Sequence, residues 1–236
     1  MIFYFIRHAE PIYPDLLTEL GEKQAAALSE RLLTHKIEKV YSSSSGRAVL
    51  TAKPFCEKAG LEPVLLDWAV EETAWREFCV FDKNGNYGEW LWEYSQSLRF
   101  NKSKLRCNDN WYKDGSFKAI RDYSAAVDRI NTRTDELLKE LGFLHNRKKR
   151  FYTNIGQKCE RVAFFAHGGF GMAFLSSLLD IPYPLMCLHF QPVGHTGMTA
   201  IWFEETKKEI IPRIVEYSND SHLFKNDVKP YHYIDV

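Results

Sequence analysis

Two short runs, residues 2–6 (Ile-Phe-Tyr-Phe-Ile) and residues 162–166 (Val-Ala-Phe-Phe-Ala), are apolar at every position. A strand with one wet face alternates apolar and polar side chains, whereas a strand that is apolar throughout is covered on both faces. Such strands sit in the middle of a sheet with helices on each side. The rest of the chain supplies those helices. Residues 18–34 carry Gly21, Ala25, Leu28 and Leu32 at helical spacing, with Thr18 as a cap. Residues 46–59 predict a second helix, weakened by Pro54. Residues 119–141 predict a third, from Ile120, Tyr123, Val127, Ile130, Thr134, Leu137 and Leu141, with Gly142 as its stop. An apolar helix runs from Gly168 and Gly169 to about Leu179. Shorter strand candidates occupy residues 38–42, 63–66, 198–203 and 210–216. This alternation predicts a three-layer α/β/α sandwich around a mostly parallel central sheet.

One segment breaks the alternation. From Trp75 to Phe117, 11 of 43 residues are aromatic, against 14% for the whole chain, so the segment is too apolar for a disordered linker. We read it as an insertion, at about residues 73–118, that folds over a single domain spanning residues 1–236 as a cap. A satellite core under a long loop is the plainer alternative, and the two are compatible.

Composition narrows the function. Lys+Arg and Asp+Glu both number 31, so the formal charge is zero, which argues against a general nucleic-acid or anionic-membrane binder and leaves room for a local anion site. The basic run Arg147-Lys148-Lys149-Arg150 reads as a solvated loop. Five cysteines, at widely spaced positions 56, 79, 107, 159 and 187, fit neither a disulfide framework nor a zinc site and point to a reducing compartment. The opening run is too short for a signal-peptide core, and no apolar stretch is long enough to span a membrane, so a cytoplasmic protein is expected.

His8 follows the first apolar run and His167 follows the second. Ligands of open α/β sheets collect at the carboxyl ends of strands, where a histidine is either a site residue or a satisfied edge residue. If the two strands are neighbours, the two rings meet face to face. Arg7 precedes His8, and adjacent residues of a strand point to opposite faces, so both serve one site only if the chain leaves the strand at His8. The segment Tyr41-Ser42-Ser43-Ser44-Ser45-Gly46-Arg47-Ala48 opens a helix with Arg47 in its first turn. A cation is unfavourable there, so Arg47 either reaches solvent or meets a bound anion.

Together Arg7-His8-Ala9-Glu10, residues 17–25 (Leu-Thr-Glu-Leu-Gly-Glu-Lys-Gln-Ala), residues 42–52 with Arg47-Ala48 and Thr51-Ala52, and Phe165-Ala166-His167-Gly168-Gly169 resemble the histidine phosphatase superfamily. That group contains the cofactor-dependent phosphoglycerate mutases and many phosphatases. The resemblance implies that His8 is the nucleophile that becomes a phosphohistidine. It implies that Arg7, Arg47 and His167 hold the phosphoryl group, and that a Glu after the third strand is the proton donor. Within Trp68-Ala69-Val70-Glu71-Glu72, Glu71 is the better match and Glu72 the rival. His195, in a loop before a strand, is a second-rank phosphoryl contact. His35, His145, His189, His222 and His232 match no motif of the family.

The chemistry suits these residues. Neutral imidazole attacks phosphorus well, and the resulting N–P bond is labile to water. Planar Arg forks and a His donor match the charge spread over three equatorial oxygens. A carboxyl protonates the leaving oxygen and then activates water, and a neighbouring carboxylate and the cap aromatics are expected to raise its pKa. No metal and no cofactor are expected; the partner is a small phosphorylated substrate, and the oligomeric state is not legible. The mutases usually read Arg-His-Gly-x-Thr-x-x-Asn at the start, where this chain has Ala9, Pro11 and Pro14, which favours a phosphatase. Cofactor-dependent mutase activity and phospho-ligand binding without turnover are the alternatives. The aromatic cap hints at an apolar or ring-bearing leaving group.

Overall fold

The computed structural model describes residues 1–13, 15–80, 88–93, 109–118, 120–204 and 206–230. Pro14, Cys107, His232 and residues 81–87 and 94–108 of the aromatic segment thus lie outside the described residues. Along the chain, β1 (Ile2–Arg7) leads to a short hairpin, β2 (Pro11–Ile12) and β3 (Leu16–Leu17). Then come α1 (Glu19–Leu33), β4 (Lys39–Ser43), α2 (Gly46–Ala59), β5 (Val64–Leu66) and α3 (Glu71–Phe78). The aromatic segment contributes the pair β6 (Cys79–Val80) and β7 (Glu89–Trp90) and the single turn α4 (Gly115–Lys118). After it follow α5 (Ser124–Glu140), the hairpin β8 (Phe143–Asn146) and β9 (Phe151–Asn154), β10 (Arg161–Ala166) and α6 (Gly168–Leu179). The chain continues with α7 (Tyr183–His189), β11 (Met198–Trp202), β12 (Arg213–Asn219) and α8 (Ser221–Lys225).

Six strands form one sheet in the order β12–β11–β1–β10–β4–β5. β1, β10, β4 and β5 are mutually parallel; at one side β11 runs antiparallel to β1, and β12 antiparallel to β11. The two apolar runs are therefore adjacent, as parallel strands in the register Ile2↔Arg161 to Arg7↔Ala166. Successive side chains of β1 feed different layers. Phe3 and Phe5 pack with Phe164, Phe170 and Phe174 and with Ile130, Leu137 and Leu138 of α5. Tyr4 and Ile6 pack with Leu28 and Leu32 of α1 and Phe55 of α2. Each fully buried aromatic or aliphatic side chain contributes about 1.5–3 kcal/mol, and the period-two split divides that contribution between both faces. The three-layer α/β/α arrangement expected from sequence is the one observed.

The described part of the aromatic segment does not form a separate cluster. Leu91, Trp92, Trp111 and Phe117 join the same core as Phe3 and Phe5.

Three expectations need correction. Helix α5 starts at Ser124, not 119, because Asp122 Oδ1 accepts the Ser124 amide at 2.9 Å and starts the helix there. The last strand lies three residues beyond the expected start, at Arg213–Asn219, because Ile210 instead exchanges backbone hydrogen bonds with Tyr152. The basic run is the turn of the β8–β9 hairpin. Lys148 and Lys149 are exposed as expected, but Arg147 folds back onto Asp135 through two 2.8 Å bonds. Elsewhere, α2 continues through Pro54, and Gly142 ends α5 with φ +93° where a Cβ would overlap the Gly156 backbone.

Candidate active site

Strand β1 ends at Arg7, and His8 is the first residue past it. This is the departure from the strand that lets both side chains face one place. The His8 amide still donates to Ala166 O at 2.9 Å, so the ring stays tied to the sheet. It lies between the two other site histidines, with ring centroids 5.1 Å from His167 and 5.6 Å from His195. The His8 and His167 rings meet edge-on at 63° rather than face to face. Parallel strands keep their ends level, but His167 has already turned to cap α6.

The His8 ring is oriented by its own neighbour. Nδ1 lies 2.7 Å from the carbonyl oxygen of Ala9, and a carbonyl only accepts, so the proton is on Nδ1 and the lone pair is on Nε2. Ala9 is held in turn by Thr51 of α2, whose Oγ1 accepts the Ala9 amide at 2.9 Å. Burial first, then the Arg7 guanidinium, holds the His8 pKa well below the usual 6.5, so the ring is neutral. His167 is shifted the same way by burial, His8, Arg47 and Arg7. His195 is pushed down to about 2 by burial, Arg7 and His8.

Two cations meet these rings. Arg7 donates from Nη1 to Val193 O at 3.0 Å and lies against Gly168, where a Cβ would come within 3.3 Å of its guanidinium. Arg47, in the first turn of α2, is only 6% exposed and so does not reach out to solvent. Its Nη1 lies 3.3 Å from Asp15 Oδ1, and its Nη2 lies 3.0 Å from Glu72 Oε1. The α2 N-terminus carries no side-chain cap from Ser45.

The two candidate proton donors have separate surroundings. Glu71 accepts the amides of Gly169 (2.9 Å) and Phe170 (2.7 Å) at the start of α6, one with each oxygen. Burial raises its pKa, against the opposing pull of those amides, Arg7 and Arg47. Burial is the cause of the rise, in place of the neighbouring carboxylate expected from sequence. Glu72 is the ion-pair partner of Arg47. Arg129 of α5 fixes α3 in place, with a fork on Glu77 (2.7 and 2.5 Å) and a bond to Trp68 O (2.9 Å).

Sequence reasoning missed several supporting residues. Ser43 Oγ, at the end of β4, lies 2.8 Å from His167 Nε2. Asp15 reaches Arg47 from the β2–β3 hairpin. Thr196, at φ +56°, donates its amide to Arg7 O (3.1 Å), and its hydroxyl accepts from His222 Nε2 (3.1 Å). Trp90 packs over Gly169 so closely that a Cβ there would fall inside the indole. Ser43 lay inside a motif already singled out, Trp90 inside the aromatic segment and Thr196 beside His195; Asp15 carried no local signal. Among the described residues, no group of three or more His, Cys, Asp or Glu side chains is placed to hold a metal ion. Among them also, no helix is long and apolar enough to cross a membrane.

Residues 3–99 match the family model of the histidine phosphatase superfamily (branch 1). This stretch contains Arg7, His8, Arg47, Glu71 and Glu72; His167 and His195 lie beyond it. A comparison with curated proteins finds no significant match. Solved structures share the fold. A phosphoserine phosphatase mutant from Entamoeba histolytica in complex with phosphoserine has a TM-score of 0.57 at 20% identity, covering 94% of this chain and 98% of that one. A mycobacterial glucosyl-3-phosphoglycerate phosphatase with inorganic phosphate has a TM-score of 0.57 at 18% identity, with 94% and 98% covered. An alpha-ribazole phosphatase from Shigella flexneri has a TM-score of 0.56 at 18% identity, with 93% and 97% covered. The stretch around Arg7, His8, Arg47 and Glu71 thus matches the model of that superfamily, and nearly the whole chain shares the fold of these solved phosphatases.

Proposed function

We propose that this chain is a phosphomonoester hydrolase that works through a phosphohistidine on His8. The observation that carries the reading is the bond from His8 Nδ1 to the Ala9 carbonyl. It leaves a neutral imidazole with its lone pair on Nε2, the state a nucleophile needs. Arg7 and Arg47 supply the positive charge that the equatorial oxygens gain most from in the transition state. His167 Nε2 lies 2.8 Å from Ser43 Oγ, and its Nδ1 has no hydrogen-bond partner among the described residues. His167 and His195 line the place where the phosphoryl group is held, as the partners of its oxygens.

In the first step, Nε2 of His8 forms a bond to phosphorus as the ester P–O bond breaks, and Glu71 gives its proton to the leaving alcohol. In the second, the Glu71 carboxylate takes a proton from water, whose oxygen displaces His8 and releases inorganic phosphate. The raised pKa of Glu71 suits both halves of this cycle. We assign the donor role to Glu71 rather than Glu72 because Glu72 is committed to Arg47. The aromatic segment at about residues 73–118 acts as the cap, through Trp90 over the start of α6. The relatives in fold are named as phosphatases of small phosphorylated metabolites, which agrees with a small phosphorylated substrate.

The test is direct. His8→Ala abolishes hydrolysis of p-nitrophenyl phosphate and the trapping of acid-labile, base-stable phosphate on the protein. Full activity in that variant sinks the mechanism. A chelator leaves wild-type hydrolysis unchanged.

A further inference from the structure

His222, on α8, is a buried imidazole that the proposed reaction does not use. Its Nδ1 has no hydrogen-bond partner among the described residues, and its Nε2 lies 3.1 Å from Thr196 Oγ1. An apolar side chain would fill the same space without the cost of desolvating an imidazole. What the histidine adds is therefore the bond to Thr196. Its helix is anchored for that bond. Arg31 of α1 donates to Asn219 Oδ1 at 2.6 Å and to Ser221 Oγ at 3.2 Å, and Leu223 is fully buried.

Thr196 is a residue that needs holding. Its φ of +56° lies in the left-handed region, which a β-branched residue occupies only where its surroundings keep it there. Its hydroxyl donates to His195 O at 2.7 Å, and a carbonyl only accepts, so the same oxygen accepts from His222 Nε2. Its amide donates to Arg7 O at 3.1 Å. Arg7 meets the 193–197 loop along its whole length. The Arg7 amide donates to Gly197 O (3.3 Å), its carbonyl accepts from Thr196, and its Nη1 donates to Val193 O (3.0 Å). The same loop carries His195, whose ring lies 5.6 Å from that of His8. A further tie comes from β12, the strand that leads into α8: Ser218 Oγ accepts the Gly194 amide at 2.9 Å.

Resting on the phosphatase reading above, we infer that His222 is a positioning residue: through Thr196 it fixes the 193–197 loop, and the loop aims the Arg7 guanidinium and the His195 ring at the phosphoryl group. It acts through Thr196 and not on the substrate. Donors that are slightly misaimed lose more against the transition state than against a ground-state anion, which can shift to meet them.

The experiment measures inhibition constants for orthovanadate, which adopts the trigonal-bipyramidal geometry of the transition state, and for inorganic phosphate. The assay substrate is p-nitrophenyl phosphate, and the proteins are the wild type, His222→Leu, His222→Gln, Thr196→Val and the double variant His222→Leu/Thr196→Val. An inhibition constant does not depend on how much of a variant is folded. His222→Leu and Thr196→Val are each expected to raise the vanadate constant about five- to tenfold and the phosphate constant less than about twofold. The double variant is expected to lose no more than the worse single one, because either change alone breaks the bond. His222→Gln, whose amide can donate in place of Nε2, recovers most of the loss. If His222→Leu does not fold, His222→Gln against Thr196→Val gives the same contrast. Unchanged vanadate inhibition in the single variants overturns the inference. So do effects that multiply in the double variant, vanadate and phosphate constants that rise in parallel, or a His222→Gln no better than His222→Leu. These outcomes leave the phosphatase reading standing if p-nitrophenyl phosphate is still hydrolysed. A wild type that hydrolyses no p-nitrophenyl phosphate overturns the phosphatase reading and the role of His222 with it.

Discussion

Glu71 shows how one residue is tuned by opposing influences. Burial raises its pKa from 4.5, while two α6 amides and the two arginines lower it, and burial wins. The proton therefore stays on Glu71 to higher pH than on an ordinary carboxyl. His8 is tuned the other way, to remain neutral well below 6.5. For an alkyl phosphate, kcat/KM is expected to fall as pH rises through the raised pKa of Glu71 and to show no break from His8 near 6.5. Glu71→Gln removes that alkaline limb and slows alkyl esters by about 10²–10⁴-fold, with a much smaller effect on p-nitrophenyl phosphate, whose leaving group needs no proton. Loss of the limb in Glu72→Gln instead moves the donor by one residue. The sequence narrowed this choice to two adjacent acids because both lie at the expected place after β5. What separates them is tertiary: one meets the α6 amides and the other meets Arg47. Asp15 was invisible for the same reason, since only the folded hairpin brings it to Arg47.

At the scale of elements, α6 is the most heavily committed piece of the fold. Its start receives Glu71, lies under Trp90 and touches Arg7. The two glycines there are not equivalent. A Cβ on Gly168 would sit 3.3 Å from the Arg7 guanidinium, a side chain with some freedom to shift. A Cβ on Gly169 would lie within the Trp90 ring. Gly169→Ala is therefore expected to cost about 1–3 kcal/mol and to lower activity by pushing Trp90 off the start of α6, with Gly168→Ala the milder of the two. Urea unfolding of both variants checks the order, and equal losses count against the packing account. The long helices and the two central strands were legible because periodicity and full apolarity are local signals. The β2–β3 and β6–β7 pairs are two residues per strand, too short to show any period. They exist because of what they pack against. The β8–β9 hairpin was hidden by its charged turn, whose Arg147 is claimed by Asp135 across the fold.

At the scale of the whole molecule, a second histidine centre lies away from the site. The His145 side chain is fully buried, with Nδ1 2.8 Å from Asp135 and Nε2 2.8 Å from Asp180, and the ring stacks on Tyr152 at 4.0 Å. It ties α5, the C-terminal end of α6 and the β8–β9 hairpin together. Its pKa is raised by the two aspartates over the opposing effect of burial. A raised pKa contributes stability that is full below the unfolded value of about 6.5 and is lost as pH rises through the folded value. His145→Ala is expected to destabilise the fold by roughly 2–4 kcal/mol at pH 6, because it leaves two acids facing each other, and by less at pH 8. The neutral histidines act in the opposite sense. His8, His167, His195 and His222 have lowered pKa values, so the stability they allow is lost as pH falls below 6.5. Comparing urea midpoints of wild type and variant across pH isolates the His145 share. A difference that grows toward pH 8 reverses the sign argued here.

The placement of β1 has a consequence for how the candidate site is assembled. Its residues pair on one side with residues 161–166 and on the other with residues 198–202. The strand that delivers His8 comes off the ribosome before its partners, which lie some 160 and 200 residues further along the chain. Contacts that distant in sequence are slow to form, and the central position of β1 admits no shortcut through local pairing. A chain cut before residue 161 still carries Arg7, His8, Arg47 and Glu71, but it lacks both strands that flank β1. A molecule whose β1 is paired on both sides has therefore been synthesised and assembled through residue 202.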